Sequence, residues 1–323
     1  MVAVSVIIPF YNVAPFIRRC AESLMAQTLQ EVEFLFVDDA SPDDSRQILE
    51  GVLAAHSGRN ARILTHEKNR GLPAARNTGL AEASGEYVFH CDSDDWMEPK
   101  MLELLYGAAV REKADFVYCD YFLDFSRDGR RMHNPAFNEP LQLLREGFLA
   151  GTAKYNVWNK LVRRTLYAGI AFPDAHPMGE DMTMLLLARR ATRAAFVPEA
   201  LYHYVKLNRN AYSHSFSEKN LADVRANVER VAAFLQENSF PGMEEALGYF
   251  KLNVKLPFLL SGEKRQYRLW KEWYPETNRY AMGNQALPLR TRLLQWLAAH
   301  GQFRVVTLYS FLVNRLFYGL IYR

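Results

Sequence analysis

Cysteine is scarce: Cys20, Cys91 and Cys119 are the only three in 323 residues. They are far apart and odd in number, which excludes a disulfide framework and a metal-ligand spacing and predicts reduced core residues of a cytoplasmic protein. No run of about 18 uninterrupted apolar residues occurs, so no membrane span is expected. The first residues enter a strand-like run without the basic-then-apolar order of a signal peptide, so export is not expected either. No Gly-x-Gly-x-x-Gly follows the first apolar run and no Gly-Lys-Ser/Thr loop occurs, which argues against a dinucleotide oxidoreductase and a P-loop NTPase. There is no internal repeat and no low-complexity tract.

What is present is the composition of a globular chain, 49% apolar and 23% charged. Its length suits one large domain and an extension. The charge is unevenly spread. From Gly262 to Arg323 ten Lys/Arg face three Asp/Glu, a net +7; with +3 overall, the remainder stands at −4. A basic, aromatic-rich tail on a mildly acidic body suggests an anionic surface as the tail's partner, and no nucleic acid is expected.

The pattern in the first 125 residues alternates strand and helix. "VAVSVIIPFYN" reads as a strand whose ladder Pro9 stops, and Pro15 opens an amphipathic helix with Val13, Phe16, Ile17, Cys20 and Leu24 on one stripe. "VEFLFVDDA" is a second buried strand meeting "SPDDS", where Ser41 is expected to cap the next helix and Pro42 to take its first position. "ARILTHE", "EYVFHC" and "ADFVYCDYFLDF" read as further strands, with helices at "AARNTGLAEAS" and from about Pro99 to Glu112. This predicts an α/β fold with a mixed, mostly parallel sheet. Beyond about Ser126 the alternation breaks. Helical stretches are expected near 139–150 and 180–191, a strand at "AAFVPEALYHYV", and helices from Ser217 to the end. The expected domains are therefore 1–216 and a helical extension, 217–323.

The chemistry lies at strand ends, where ligands of open α/β sheets bind. "FHCDSDDWMEP" places Asp92, Asp94 and Asp95 within four positions, a crowding that charge repulsion disfavours unless a cation arrives. Asp38 and Asp39 end the second strand. Acidic groups at several strand ends suit a hard divalent ion, Mg²⁺ or Mn²⁺, which takes one or two carboxylates together with substrate phosphates. A carboxylate such as Asp39 also accepts from a base imide or a ribose hydroxyl. Capping and turn chemistry are the structural alternatives for both clusters.

Four motifs in order, "VSVIIPFYN", "FLFVDDASPDDS", "NRGLPAARNTGL" and "FHCDSDDWMEP", resemble the family 2 glycosyltransferases, which use the GT-A fold. "VWNKLVRRTLY" and "GEDMTMLLLARRA" resemble the second half of bacterial members that build surface polysaccharides. The likeness covers about residues 2–215; Pro73 stands where small residues are common. It implies inverting transfer of a sugar from a nucleoside diphosphate donor, UDP-linked by preference, to an acceptor hydroxyl; the acceptor expected is a growing surface glycan, either free or lipid-linked. Within it, residues 1–125 form the nucleotide-binding half and 126–216 the acceptor-binding half. Pro9 and Tyr11 resemble residues lining the nucleoside pocket, Asp39 the carboxylate that recognises uracil, and Arg76 a basic residue closing that pocket. Asp92-Ser93-Asp94 resembles the DxD motif, with Asp94 the metal ligand and Asp92 nearer the ribose. Asp181 resembles the catalytic base, and Glu180 an orienting neighbour or donor-sugar contact. His203 stands where some relatives supply a histidine to the metal, and His214 is the second candidate. Trp158 and Lys160 are expected in the acceptor or donor-sugar region.

Two other classes compete. A metal-dependent nucleotidyltransferase needs a basic phosphate loop that "PFYNVAPF" lacks. A non-catalytic glycan-binding protein would be marked by loss of Asp94 or Asp181, and both are present. The tail from Leu289 has apolar stripes beside arginines, for which an anionic membrane, a homodimer partner and the chain's own core are the burial options. A cytoplasmic enzyme, peripheral on the inner face of the membrane, is the resulting expectation.

Overall fold

The computed structural model describes residues 2–125, 129–207, 217–261 and 263–312. The chain forms two compact units, Met1–Leu143 with Tyr155–Phe234, and Leu144–Lys154 with Leu235–Arg323.

The first unit is built on one sheet. Its strands are β1 (Val4–Phe10), β2 (Val32–Asp38), β3 (Asn60–Thr65), β4 (Tyr87–His90), β5 (Trp96–Met97), β6 (Phe116–Asp124), β7 (Gly129–Met132), β8 (Lys160–Arg163) and β9 (Ala194–Val205). They lie in the order β3-β2-β1-β4-β8-β6-β9-β5, with β7 on β6. The run β3-β2-β1-β4 is parallel, whereas β8 runs against both β4 and β6, and β5 runs against β9. The sheet is thus mixed, parallel through β3-β2-β1-β4 as the alternation predicts. Every residue of β1 and β2 is buried, as befits strands covered on both faces. Helices Ala14–Met25, Ser45–Ala55, Leu72–Glu82 and Met101–Glu112 supply the cover; Ile17, Cys20, Ala21, Leu24 and Met25 form the buried stripe of the first.

Three local expectations are corrected. Pro9 does not stop its strand: β1 continues beside β2 to Phe10↔Asp38, and only its pairing with β4 ends, at Ile7↔His90. Proline's missing N–H is harmless there because that side of the ladder has already closed. Ser41 does not cap the helix that follows it, which starts at Ser45 with no side-chain cap. Instead Ser41, Ser45 and Asp43 accept the backbone N–H groups of Asn12 (2.9 Å), Val13 (3.0 Å) and Ala14 (2.8 Å), so the loop after β2 caps the helix after β1. The helix near 139–150 is one α-turn, Pro140–Gln142, followed by a π-helix at Leu143–Leu149. In β9 the register shifts opposite Cys119–Tyr121, a bulge that accommodates Pro198.

Helix Leu72–Glu82 approaches β1 at Gly79, where an added Cβ would sit 2.4 Å from Ile7 Cγ2. Gly79→Ala is expected to overpack the core and cost about 1–3 kcal/mol. A lowered urea midpoint tests this; an unchanged one shows that Ile7 yields freely.

The second unit is helical: Met243–Lys255, Pro257–Leu260, Lys264–Glu272, Leu289–Ala299 and Phe303–Leu312. Phe250, Leu259, Trp270 and Val306 are among its buried residues. Lys255 is wholly buried within it. Its ammonium donates to Trp273 O (2.9 Å) and Asn278 Oδ1 (2.8 Å) and lies 3.5 Å from the Trp270 ring centroid.

Candidate active site

Loops at the carboxyl ends of β1, β2 and β4 bring the predicted residues together. Pro9 is buried in β1, and Tyr11, 46% exposed, begins the loop after it. At the end of β2, Asp38 accepts from Ser41 N (2.8 Å) and pairs with Arg46 at 3.3 Å. Asp39 is buried and holds the loop after β3. Its Oδ1 accepts from Arg70 N (2.8 Å) and lies 2.7 Å from His66 Nδ1, while Oδ2 accepts from Gly71 N (2.8 Å). A carboxylate has about four lone-pair sites, so Oδ2 retains capacity for one further donor.

The crowding after β4 is resolved residue by residue. Asp92 Oδ1 accepts from Arg76 Nη2 at 2.7 Å. Arg76 is 1% exposed, lies 5.8 Å from the Phe172 ring centroid, and leaves Nε and Nη1 buried without hydrogen-bond partners. Burial alone would lower its pKa, but the carboxylates of Asp92 and Glu180 outweigh that and raise it. Asp95 is turned inward: Oδ2 accepts from Tyr202 O–H (2.8 Å) and Oδ1 from Val205 N (2.8 Å). Burial, reinforced by Asp94 and Asp92, pushes its pKa well above the carboxylate range. Ser93 is buried, and Asp94 is half-buried between them.

A second carboxylate pair comes from the 3-10 turn Glu180–Met182, which precedes helix Thr183–Arg190 and follows Gly179 at φ +85. Glu180 Oε1 lies 3.7 Å from Arg76 Nη2. Burial first and then Asp181 push the Glu180 pKa up to about 8. Burial raises Asp181 less, to about 6, because Lys160 and Arg76 oppose it. Both carboxyls are thus pushed above the usual carboxylate range, Glu180 further than Asp181.

The remaining candidates are placed differently from one another. The Lys160 ammonium is buried, donating to Asn156 O (2.6 Å) and Asn159 Oδ1 (2.7 Å); burial lowers its pKa to about 7. Trp158 stacks on Tyr202 with centroids 4.6 Å apart and meets Tyr121 edge-on at 4.8 Å, so it belongs to an aromatic core. His203 is sandwiched between Trp96 (3.4 Å) and Phe122 (4.6 Å). Its Nδ1 lies 3.1 Å from Asp124 Oδ2 and its Nε2 3.1 Å from Glu98 Oε1, so a cation would have to displace one of these carboxylates to reach the ring. His214 lies outside the described residues. Among those residues no group of three or more His, Cys, Asp or Glu forms a ready cation cage. An ion here needs oxygens from a substrate, and Asp94 is the hard donor suited to share it.

Sequence reasoning missed three supports. Tyr202 O–H, which serves Asp95, also accepts from Asp92 N at 3.1 Å; a tyrosine in a buried strand needs a hydroxyl partner, which was the available signal. His66 braces Asp39. Asn227, in helix Glu218–Glu237, donates to His176 O (2.8 Å) and Met178 O (2.9 Å), tying down the loop before Glu180. Asn220, Asp223 and Asn227, buried polar residues at helical spacing, were its trace in the sequence.

The family model of glycosyl transferase family 2 matches residues 5–179. The uncharacterized glycosyltransferase EpsJ of Bacillus subtilis (strain 168) is 32% identical over 275 residues, covering 80% of this chain and 77% of EpsJ. S. aureus TarS in complex with UDP-GlcNAc superposes with a TM-score of 0.70 at 21% identity, over 94% of this chain and 90% of that one. The mannosyltransferase PcManGT from Pyrobaculum calidifontis, in complex with GDP-Man and Mn²⁺, superposes with a TM-score of 0.53 at 17% identity, over 95% and 86%. At these identities the two structures speak to the fold, which is GT-A-like with a helical C-terminal region.

Proposed function

The chain belongs to glycosyl transferase family 2, and on that premise we propose that it moves a sugar from a UDP-linked donor to an acceptor hydroxyl with inversion at the anomeric carbon. The observation that carries this reading is the meeting at Arg76 of two acidic loops, Asp92 at 2.7 Å and Glu180 at 3.7 Å, the second with Asp181 beside it in the same turn. Single displacement requires one base facing the acceptor and charge stabilisation at the departing diphosphate. Asp181, ionised at neutral pH, takes the proton of the acceptor hydroxyl. Glu180, protonated there, donates a hydrogen bond to the donor sugar.

The free lone pair of Asp39 accepts from the uracil imide, with Pro9 and Tyr11 forming the wall and exposed lid of the base site. Arg76 fixes Asp92 toward the ribose, and Ser93 is buried in the turn that presents Asp94. Asp94 would hold Mn²⁺ or Mg²⁺ jointly with the donor's phosphates; such an ion, when bound, neutralises charge that collects on the leaving diphosphate. Lys160 and Trp158 support the site from beneath, the first through its charge near Asp181. TarS complexes with UDP-GlcNAc and with UDP, and the Mn²⁺ complex of PcManGT, support this donor and ion by likeness. The acceptor is a hydroxyl on a growing, lipid-linked surface glycan, reached from the cytoplasmic side of the membrane.

Calorimetric titration with UDP, with and without Mn²⁺, tests the donor site. The parent is expected to bind UDP more tightly with the ion, and Asp94→Asn to lose that difference while keeping its fold. Equal ion dependence in both proteins would remove Asp94 from the metal site. A thermal-shift comparison of UDP-, GDP- and dTDP-sugars tests the nucleotide, since a specific ligand raises the melting point by mass action.

A further inference from the structure

Large exposed apolar side chains gather in one part of the second unit. Helix Leu289–Ala299 presents Leu289, Leu293 and Trp296, spaced four and three residues apart on one face. Helix Phe303–Leu312 presents Val305, Leu308, Phe311 and Leu312 in the same helical spacing, with Leu308 59% exposed, while Val306 and Ser310 are turned inward. A concentration of this kind marks an interaction site rather than ordinary surface.

The neighbouring groups decide the partner. Helix Lys264–Glu272 packs here through Tyr267, whose hydroxyl accepts from Thr307 Oγ1 at 3.2 Å. Between them lies a cleft of about 280 Å³ lined by Lys264, Tyr267, Arg268, Lys271 and Phe303. Its three cations are exposed, and Lys271 Nζ stands 4.8 Å from the Phe303 ring centroid. Arg290 and Arg304 are exposed beside the apolar stripes. A two-fold pairing through this face would set these cations against the same cations on the other copy, which like-charge repulsion opposes. Among the described residues no helix is long and apolar enough to cross a membrane.

We infer that this face is a docking surface for an anionic lipid bilayer. The stripes of Leu289, Leu293, Trp296 and Val305, Leu308, Phe311 bury shallowly at the headgroup boundary, and Lys264, Arg268 and Lys271 hold lipid phosphates in the cleft. The inference deepens the lipid-linked acceptor reading. Its test contains neither donor nor acceptor, so the two stand or fall separately.

The full chain is floated with phosphatidylcholine vesicles, alone and with about one part in three phosphatidylglycerol. It is expected to float only with the anionic vesicles at about 0.05 M salt and to be released at about 0.5 M. Lys264→Gln with Arg268→Gln and Lys271→Gln should weaken partition about a hundredfold. Leu308→Ser with Phe311→Ser should abolish it, with urea midpoints held near the parent's. Trp296 emission should shift to the blue on binding, read as the difference from Trp296→Phe. Equal flotation with neutral vesicles, or none with either, overturns the proposal. So does a dimer in light scattering that Leu308→Ser with Phe311→Ser dissociates, which would assign the face to a second copy.

Discussion

Asp181→Asn is expected to bind UDP-sugar as the parent does and to transfer the sugar about 10²–10⁴-fold more slowly, the usual contribution of a general base. The parent's kcat/KM should rise as pH climbs through about 6, because below that value Asp181 holds the proton it must accept. The variant should lose this limb. Glu180→Gln is the discriminating control. With its pKa near 8, Glu180 already carries a proton at pH 7, and glutamine imitates that state. Its loss should therefore be much the smaller of the two. If Asp181→Asn costs less than about tenfold while Glu180→Gln is crippled, the roles are exchanged.

The two carboxyls also show where reading the sequence stopped. "GEDMT" supplied adjacent acids, but their raised pKa values come from burial in the fold, opposed by Arg76 from helix Leu72–Glu82 and, at Asp181, by Lys160 from β8. The strands β1, β2 and β4 were legible because continuous apolar runs are what a sheet covered on both faces requires. β8 was not: "KLVR" is four residues with a charge at each end, and it is a strand because β4 and β6 flank it. Likewise the loop "SPDDS" advertised a cap but not whose, since its beneficiary is a helix about thirty residues earlier in the chain. Local pattern reports periodicity and turn chemistry, whereas partners brought together by topology leave no local trace. His203, in β9, and Trp158, in the turn before β8, illustrate the same gap: a ring in an apolar stretch looks alike whether it meets a ligand or, as here, Phe122 and Tyr202.

Arg76→Met is expected to be the most damaging single change to the site's stability, and its effect should depend on pH. Arg76 is the cation that Asp92 and Glu180 share, at 2.7 and 3.7 Å. Removing one partner of a buried pair costs about 3–5 kcal/mol, because the remaining charge is left without compensation. The lower end applies here, about 3 kcal/mol, since Asp92 keeps some contact with water and methionine also removes the two orphaned guanidinium nitrogens. The sign of the pH dependence follows from linkage. Glu180 titrates near 4.5 when unfolded and near 8 when folded, so across that window the folded state holds a proton that the unfolded state has released. Its contribution to stability is therefore greatest below about 4.5 and declines as pH rises through about 8. Without Arg76, the force opposing that rise is gone, and the folded pKa moves higher still. The variant should accordingly fall below the parent in urea unfolding at pH 5, where Asp92 is left without its partner, and somewhat further below it at pH 8, with donor affinity lost at both because Asp92 is no longer held. The same deficit at both pH values would mean that Glu180 has no share in what Arg76 compensates.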